Sequence, residues 1–123
     1  MTAKRILLDE NLPTRLRFLL HEYDVFTVAF MGWAGIKNCD LLNAAEGETF
    51  DVLIMSDQGF PHQQNMEGRN LAILLLPTPD WNVVQYEGAR ISAAIEKALP
   101  GTFERVLFET KRRARKRASP EPG

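Results

Sequence analysis

Short apolar runs that stop abruptly at acidic residues, with helically spaced segments between them, constrain the fold of this chain more than any other feature. Residues 5–8 run into Asp9-Glu10-Asn11, residues 52–55 are closed by Ser56-Asp57, and residues 71–76 are continuously apolar. Such runs are too short for stand-alone helices and match strands buried on both faces of a sheet. After the first run, Leu12, Leu16, Leu19 and Leu20 recur at helical spacing, with Asn11 as the expected N-cap and Pro13 tolerated in the first turn. Residues 24–30 alternate and are rich in Val, Phe and Thr, so a second strand is expected before the Gly32-Trp33-Ala34-Gly35 loop.

A helix is expected from Asn38 or Asp40 through Leu41, Leu42, Ala44 and Ala45 toward Gly47, with the acid at its start complementing the helix dipole. The polar segment 61–66 has room for one or two helical turns. Residues 83–99 are expected to form one long amphipathic helix with Ile91, Ala94, Ile95 and Ala98 on one face. Residues 102–108 then supply a last strand at an edge. This alternation is that of an α/β fold, a three-layer sandwich with a mainly parallel central sheet and right-handed crossovers.

The chain has 123 residues, 45% of them hydrophobic, enough for one core and too few for two ordinary domains. Residues 1–110 are expected to be that domain and residues 111–123 a basic, disordered tail. Its one cysteine, Cys39, excludes an internal disulfide and a thiolate-rich metal site, which suits a reducing cytoplasm. No apolar run is long enough to span a bilayer, so a soluble, unprocessed protein is expected. The net charge of -1 hides an asymmetry: Lys111, Arg112, Arg113, Arg115, Lys116 and Arg117 carry six positive charges, leaving -7 for the rest. Such a tail can contact nucleic-acid phosphates, fold against an acidic partner, or stay solvated.

In an open parallel sheet, ligands bind outside the carboxyl ends of the strands. Asp9 and Asp57 fall at two such ends, and Asp40 enters from a helix N-terminus that can reach the same edge. A carboxylate directly after a buried strand costs desolvation unless it is paired or bound to a cation. Clustered hard oxygen donors suit Mg²⁺ or Mn²⁺, and a metal there would serve phosphodiester cleavage. Asp40 and Asp57 also have structural uses, as a helix cap and a turn former. Glu10 is expected to point to the other side of the chain if strand geometry persists, as an ion-pair or supporting residue.

Three stretches carry a family resemblance: Ile6-Leu7-Leu8-Asp9-Glu10-Asn11-Leu12-Pro13, the glycine-containing loop leading to Asp40-Leu41-Leu42, and Ile54-Met55-Ser56-Asp57-Gln58-Gly59-Phe60. Together they resemble the DUF5615 PIN-like family, which is regarded as ribonuclease toxins of toxin–antitoxin systems and is similar to the C-terminal domain of the Mut7 exonuclease. The resemblance covers about residues 4 to 100. It implies a PIN-like fold and a Mg²⁺- or Mn²⁺-dependent ribonuclease whose catalytic metal is held by Asp9, Asp40 and Asp57. It also implies RNA as substrate, a cognate antitoxin protein as partner, and homodimerisation.

Where the family often carries a second acid in the third motif, this chain has Gly59, which weakens a two-metal arrangement. Glu10, Asn11, Gln64, Asn65 and Arg69 are candidates for supporting the site or contacting substrate, His62 is a weaker candidate base, and Phe30, Met31 and Trp33 are candidates for an exposed contact patch. Two rival functions come with these residues. One is a catalytically impaired PIN-like module that binds RNA or protein. The other is a receiver-like phosphoacceptor, for which Asp9-Glu10 and Asp57 are suitably placed and Thr78 is available, but the last strand lacks the Lys-Pro that receivers carry.

Overall fold

In the computed structural model, residues 3–59 and 66–109 are described. They form a five-stranded, all-parallel sheet with helices on both faces. The strands are β1 (Arg5–Leu8), β2 (Asp24–Thr27), β3 (Val52–Met55), β4 (Ala72–Leu75) and β5 (Phe103–Arg105), arranged in the order β2-β1-β3-β4-β5. The helices are α1 (Leu16–Leu19), α2 (Asn38–Gly47), α3 (Trp81–Val84) and α4 (Gly88–Lys97). Every residue of β3 and β4 is buried, and burying one such side chain contributes roughly 1.5–3 kcal/mol, so these two strands anchor the centre.

Period-two alternation sends successive side chains into two separate cores. Ile6, Leu8, Val52, Ile54, Ala72 and Leu74 meet Leu16 and Leu20, which flank or belong to α1, together with Val84 of α3 and Ile91 and Ile95 of α4. Leu7, Leu53, Met55, Ile73 and Leu75 meet Leu41, Leu42 and Ala45 of α2, with Phe50 and Val28. The sheet is therefore the middle layer of three.

Three expectations are corrected. The first helix is a single turn rather than a run from Leu12. The chain makes turns from Asp9 onward, with Leu12 N–H donating to Asp9 O and Leu16 N–H to Pro13 O, and the helix is entered at Arg15 without a side-chain cap, so Asn11 is not its N-cap. The expected helix over 83–99 is two helices broken at Gln85-Tyr86-Glu87. The Asp80 carboxylate caps α3 by accepting the Asn82 N–H, which starts the helical segment earlier than the apolar spacing alone indicates.

The crossovers are not all of one hand. The connections β2-to-β3 and β4-to-β5 step in the same direction across the sheet, yet α2 covers one face and α4 the other. They therefore have opposite hands, against a strong general preference. Cover explains the exception: α1 is too short to close its face, and α4 supplies the missing apolar stripe. Lys4 Nζ donates to Ile95 O at 2.7 Å and the Tyr23 hydroxyl to Glu96 Oε2 at 2.6 Å, fastening α4 beside the starts of β1 and β2.

The turn out of α4 needs glycine. Gly101 has φ 81°, and a Cβ there would sit 3.2 Å from Met66 O. At the end of α2, Thr49 takes φ 60°, a conformation unfavourable for a β-branched residue, while Phe50 N–H closes the helix onto Ala45 O. Among the described residues no helix is long and apolar enough to cross a membrane. The basic tail and the segment containing His62, Gln64 and Asn65 lie outside the described residues.

Candidate functional site

The strand order reverses its direction of growth between β1 and β3, and this is where a crevice opens at the carboxyl edge of such a sheet. The β1–β3 ladder continues one residue past β1, with Asp9 N–H donating to Ile54 O at 2.9 Å. Asp9 follows Leu8 and Asp57 lies two residues beyond Met55, so alternation turns both toward the face covered by α2. They line one cleft of about 190 Å³ with Glu10, Asn11, Val28, Trp33, Gly35, Ile36 and Leu41. Three of these residues are acidic, and none is Lys or Arg.

Each wall has a local cause. The turn closed by Leu12 N–H on Asp9 O ends strand geometry, so Glu10 enters the cleft instead of pointing away as strict alternation would have it. Its Oε1 accepts the Gly35 N–H at 3.1 Å, tying the loop after β2 to the turn after β1. Gly35 has φ 84°, a backbone conformation that side-chain-bearing residues rarely adopt. Trp33 packs edge-on against Phe50, with ring centroids 6.2 Å apart, and its other side walls the cleft. Asp57 begins a tight turn in which its Oδ1 accepts the Gly59 N–H at 2.9 Å. Gln58 Nε2 donates to Ser56 O and Leu76 O at 2.9 and 2.8 Å, bridging the ends of β3 and β4.

The electrostatics of the cleft are unfavourable to charge. Burial pushes the Asp9 carboxyl above its ordinary value; a backbone hydrogen bond from Glu10 opposes this, and the negative charges of Glu10 and Asp57 add to the rise. Asp9 and Asp57 therefore sense each other across the cleft.

The remaining candidates are placed differently. Asp40 lies exposed in the first turn of α2 and is not among the residues lining the cleft, whereas its neighbour Leu41 is. Consecutive helical residues diverge by about 100°, so the turn that presents Leu41 takes Asp40 elsewhere. Arg69 precedes β4 at the opposite, amino edge, where its Nη1 contacts Glu46 Oε1 at 2.6 Å and Asn43 Oδ1 at 3.1 Å. Among the described residues, no group of three or more His, Cys, Asp or Glu side chains is arranged to hold a metal ion. A second concavity, about 400 Å³ between α4 and β5, contains neither Asp9 nor Asp57.

Trp33, Gly35 and Gln58 shape the site, yet only the glycine content of the loop signalled any of this in the sequence. Comparison with family models, with curated proteins and with solved structures gives no match. The resemblance to the DUF5615 family therefore stands on its motifs alone.

Proposed function

We propose that the chain is a metal-dependent ribonuclease that hydrolyses RNA phosphodiester bonds at the Asp9–Asp57 cleft. One observation carries this reading: two carboxylates from adjacent strand ends share a cleft at the topological switch point, with a third acid beside them and no cation in the lining. The donor set suits Mg²⁺ or Mn²⁺, because Mg²⁺ usually keeps several waters and is bound through one or two carboxylates plus substrate phosphate rather than by a complete protein cage. When bound, the cation supplies Lewis acidity toward the phosphate and offsets the mutual repulsion of the acids.

The chain's own residues have separable tasks in this reading. Asp9 and Asp57 bind the cation, Glu10 holds the Gly35 loop, and Trp33 and Ile36 exclude water from one wall. Asp40, exposed in the first turn of α2 and outside the cleft lining, is given no part in holding the cation. Identity as a PIN-like toxin with a cognate antitoxin, homodimerisation and a cytoplasmic location belong to the same proposal and rest on the motif resemblance.

A second reading, an impaired PIN-like module that binds RNA without cutting it, is favoured by Gly59. The residue standing where the family often has an acid contributes only a backbone N–H to Asp57. Cleavage of single-stranded RNA by wild type, Asp9→Asn and Asp57→Asn, with Mg²⁺, with Mn²⁺ and with chelator, separates the two. Activity abolished by either substitution and by chelation supports the enzyme. Equal cleavage in every sample identifies a contaminant and overturns it, and RNA binding without metal-dependent cleavage selects the second reading.

A further inference from the structure

Beside the acidic cleft, the open edge of the sheet carries an aromatic surface that core packing does not explain. Phe30 is 75% exposed and Phe18 69% exposed, an unusual outlay of ring surface for a chain with two well-filled cores. Phe30, Phe26, Val25, Thr27 and Arg17 line a pocket of about 230 Å³ along β2. Among the described residues this strand pairs only with β1, and none of them covers its outer side as a further strand.

The pocket is ordered. The Thr27 hydroxyl accepts the Phe30 N–H at 3.0 Å and fixes the turn that presents the ring. Phe26 holds the Phe30 ring at a centroid distance of 5.8 Å and is itself backed by the Arg5 guanidinium, 4.9 Å from its centroid. Arg17 lies 5.8 Å from the Phe18 ring, and Arg15 on the same turn lies 5.4 Å from the Trp81 ring. Neither arginine has an ion-pair partner among the described residues. The segment following β2 also joins this pocket to the carboxylates: Thr27 and Phe30 form one wall of the pocket, while Val28, Trp33 and Gly35 form a wall of the acidic cleft.

We infer that the Arg17–Phe26–Phe30 pocket is a nucleotide subsite for single-stranded RNA, with a base stacked on Phe30 and an adjacent phosphate paired with Arg17. An exposed π-face next to a guanidinium that has no ion-pair partner among the described residues is complementary to both halves of a nucleotide. A purely apolar partner would use the rings and leave the arginine without a role. The subsite deepens the ribonuclease proposal, resting on it for the choice of RNA, and would deliver the strand to Asp9 and Asp57 around the loop after β2.

The test is fluorescence anisotropy with a short fluorescein-labelled oligouridylate, in chelator so that cleavage cannot interfere. Wild type is expected to bind, Phe30→Ala to bind on the order of tenfold more weakly, and Phe30→Tyr to bind nearly as wild type, since stacking tolerates the hydroxyl. Arg17→Ala should weaken binding and reduce the slope of log affinity against log salt by about 1, with Arg17→Lys restoring most of that slope. Phe30 and Arg17 are solvent-facing, so far-UV circular dichroism and the urea unfolding midpoint are expected to be unchanged in all four variants. Three results would overturn the subsite: no binding by wild type, unchanged binding by Phe30→Ala and Arg17→Ala, or sedimentation showing a wild-type dimer that Phe30→Ala dissociates. Binding in chelator is independent of cleavage, so loss of the subsite leaves the ribonuclease assay standing, and failure of that assay leaves the binding result standing.

Discussion

The two edges of one parallel sheet treat their carboxylates in opposite ways. At the amino edge, Glu46 takes both an ion pair from Arg69 and the Asn70 N–H, at 2.6 and 2.8 Å, and Asp51 Oδ2 accepts the Arg5 N–H at 2.8 Å. At the carboxyl edge, Asp9, Glu10 and Asp57 share a cleft with no cation in its lining, and burial drives the Asp9 carboxyl upward. The amino-edge acids stabilise the fold. At the carboxyl edge the buried Asp9 carboxylate costs stability, which is the pattern expected of a group kept for binding or catalysis.

That contrast can be broken by substitution, and the largest expected effect is on function. Asp9→Asn and Asp57→Asn should each lower metal-dependent RNA cleavage on the order of 10²–10³-fold, typical of removing one group that stabilises developing charge, whereas Glu46→Gln should leave kcat/KM unchanged. Equal losses at both edges would erase the distinction.

On stability the order inverts. Glu46→Gln should cost about 1–2 kcal/mol in urea unfolding, more than a surface pair because both side chains are largely buried and two donors lose a charged acceptor. Asp9→Asn should instead raise the melting temperature at neutral pH by a few degrees. The sign follows from linkage: a carboxyl whose folded-state value is raised above 3.8 favours the folded protein below that pH and loses this contribution as pH rises through the raised value. The advantage of Asp9→Asn should therefore vanish in scans taken toward pH 3.8, and millimolar Mg²⁺ should stabilise wild type but not the variant. The smallest change expected is at the amino-edge turn, where Thr49→Gly should stabilise by about 1 kcal/mol by relieving its positive φ without touching activity.

The parallel sheet was readable because β1, β3 and β4 are unbroken apolar runs that only a doubly covered sheet can bury. Asp9 and Asp57 were readable for a related reason, since each interrupts such a run and alternation carries both to one face. Helix limits were harder to read. Leu12, Leu16, Leu19 and Leu20 keep helical spacing, but Leu12 is spent closing a turn on Asp9, and the stripe over 83–99 continues across the break at Glu87. Asp40 required knowing which way α2 turns, and Leu41 claims the inward position. The loop from Phe30 to Gly35 was visible as glycine-rich, but its division into a wall for the acids and an exposed ring depends on the Thr27 and Glu10 hydrogen bonds, which have no local signature.

The crossover of unusual hand also bears on how the molecule comes into being. The side chains beneath α1 are covered in large part by Val84, Ile91 and Ile95, and Lys4 waits for the Ile95 carbonyl. A ribosome adds about 5–20 residues per second, so for several seconds the nascent chain would hold strands whose second face is bare, a target for chaperones and proteases. A transcript cut short before α4 should yield no folded domain, and the acidic cleft would persist only in chains synthesised past that helix.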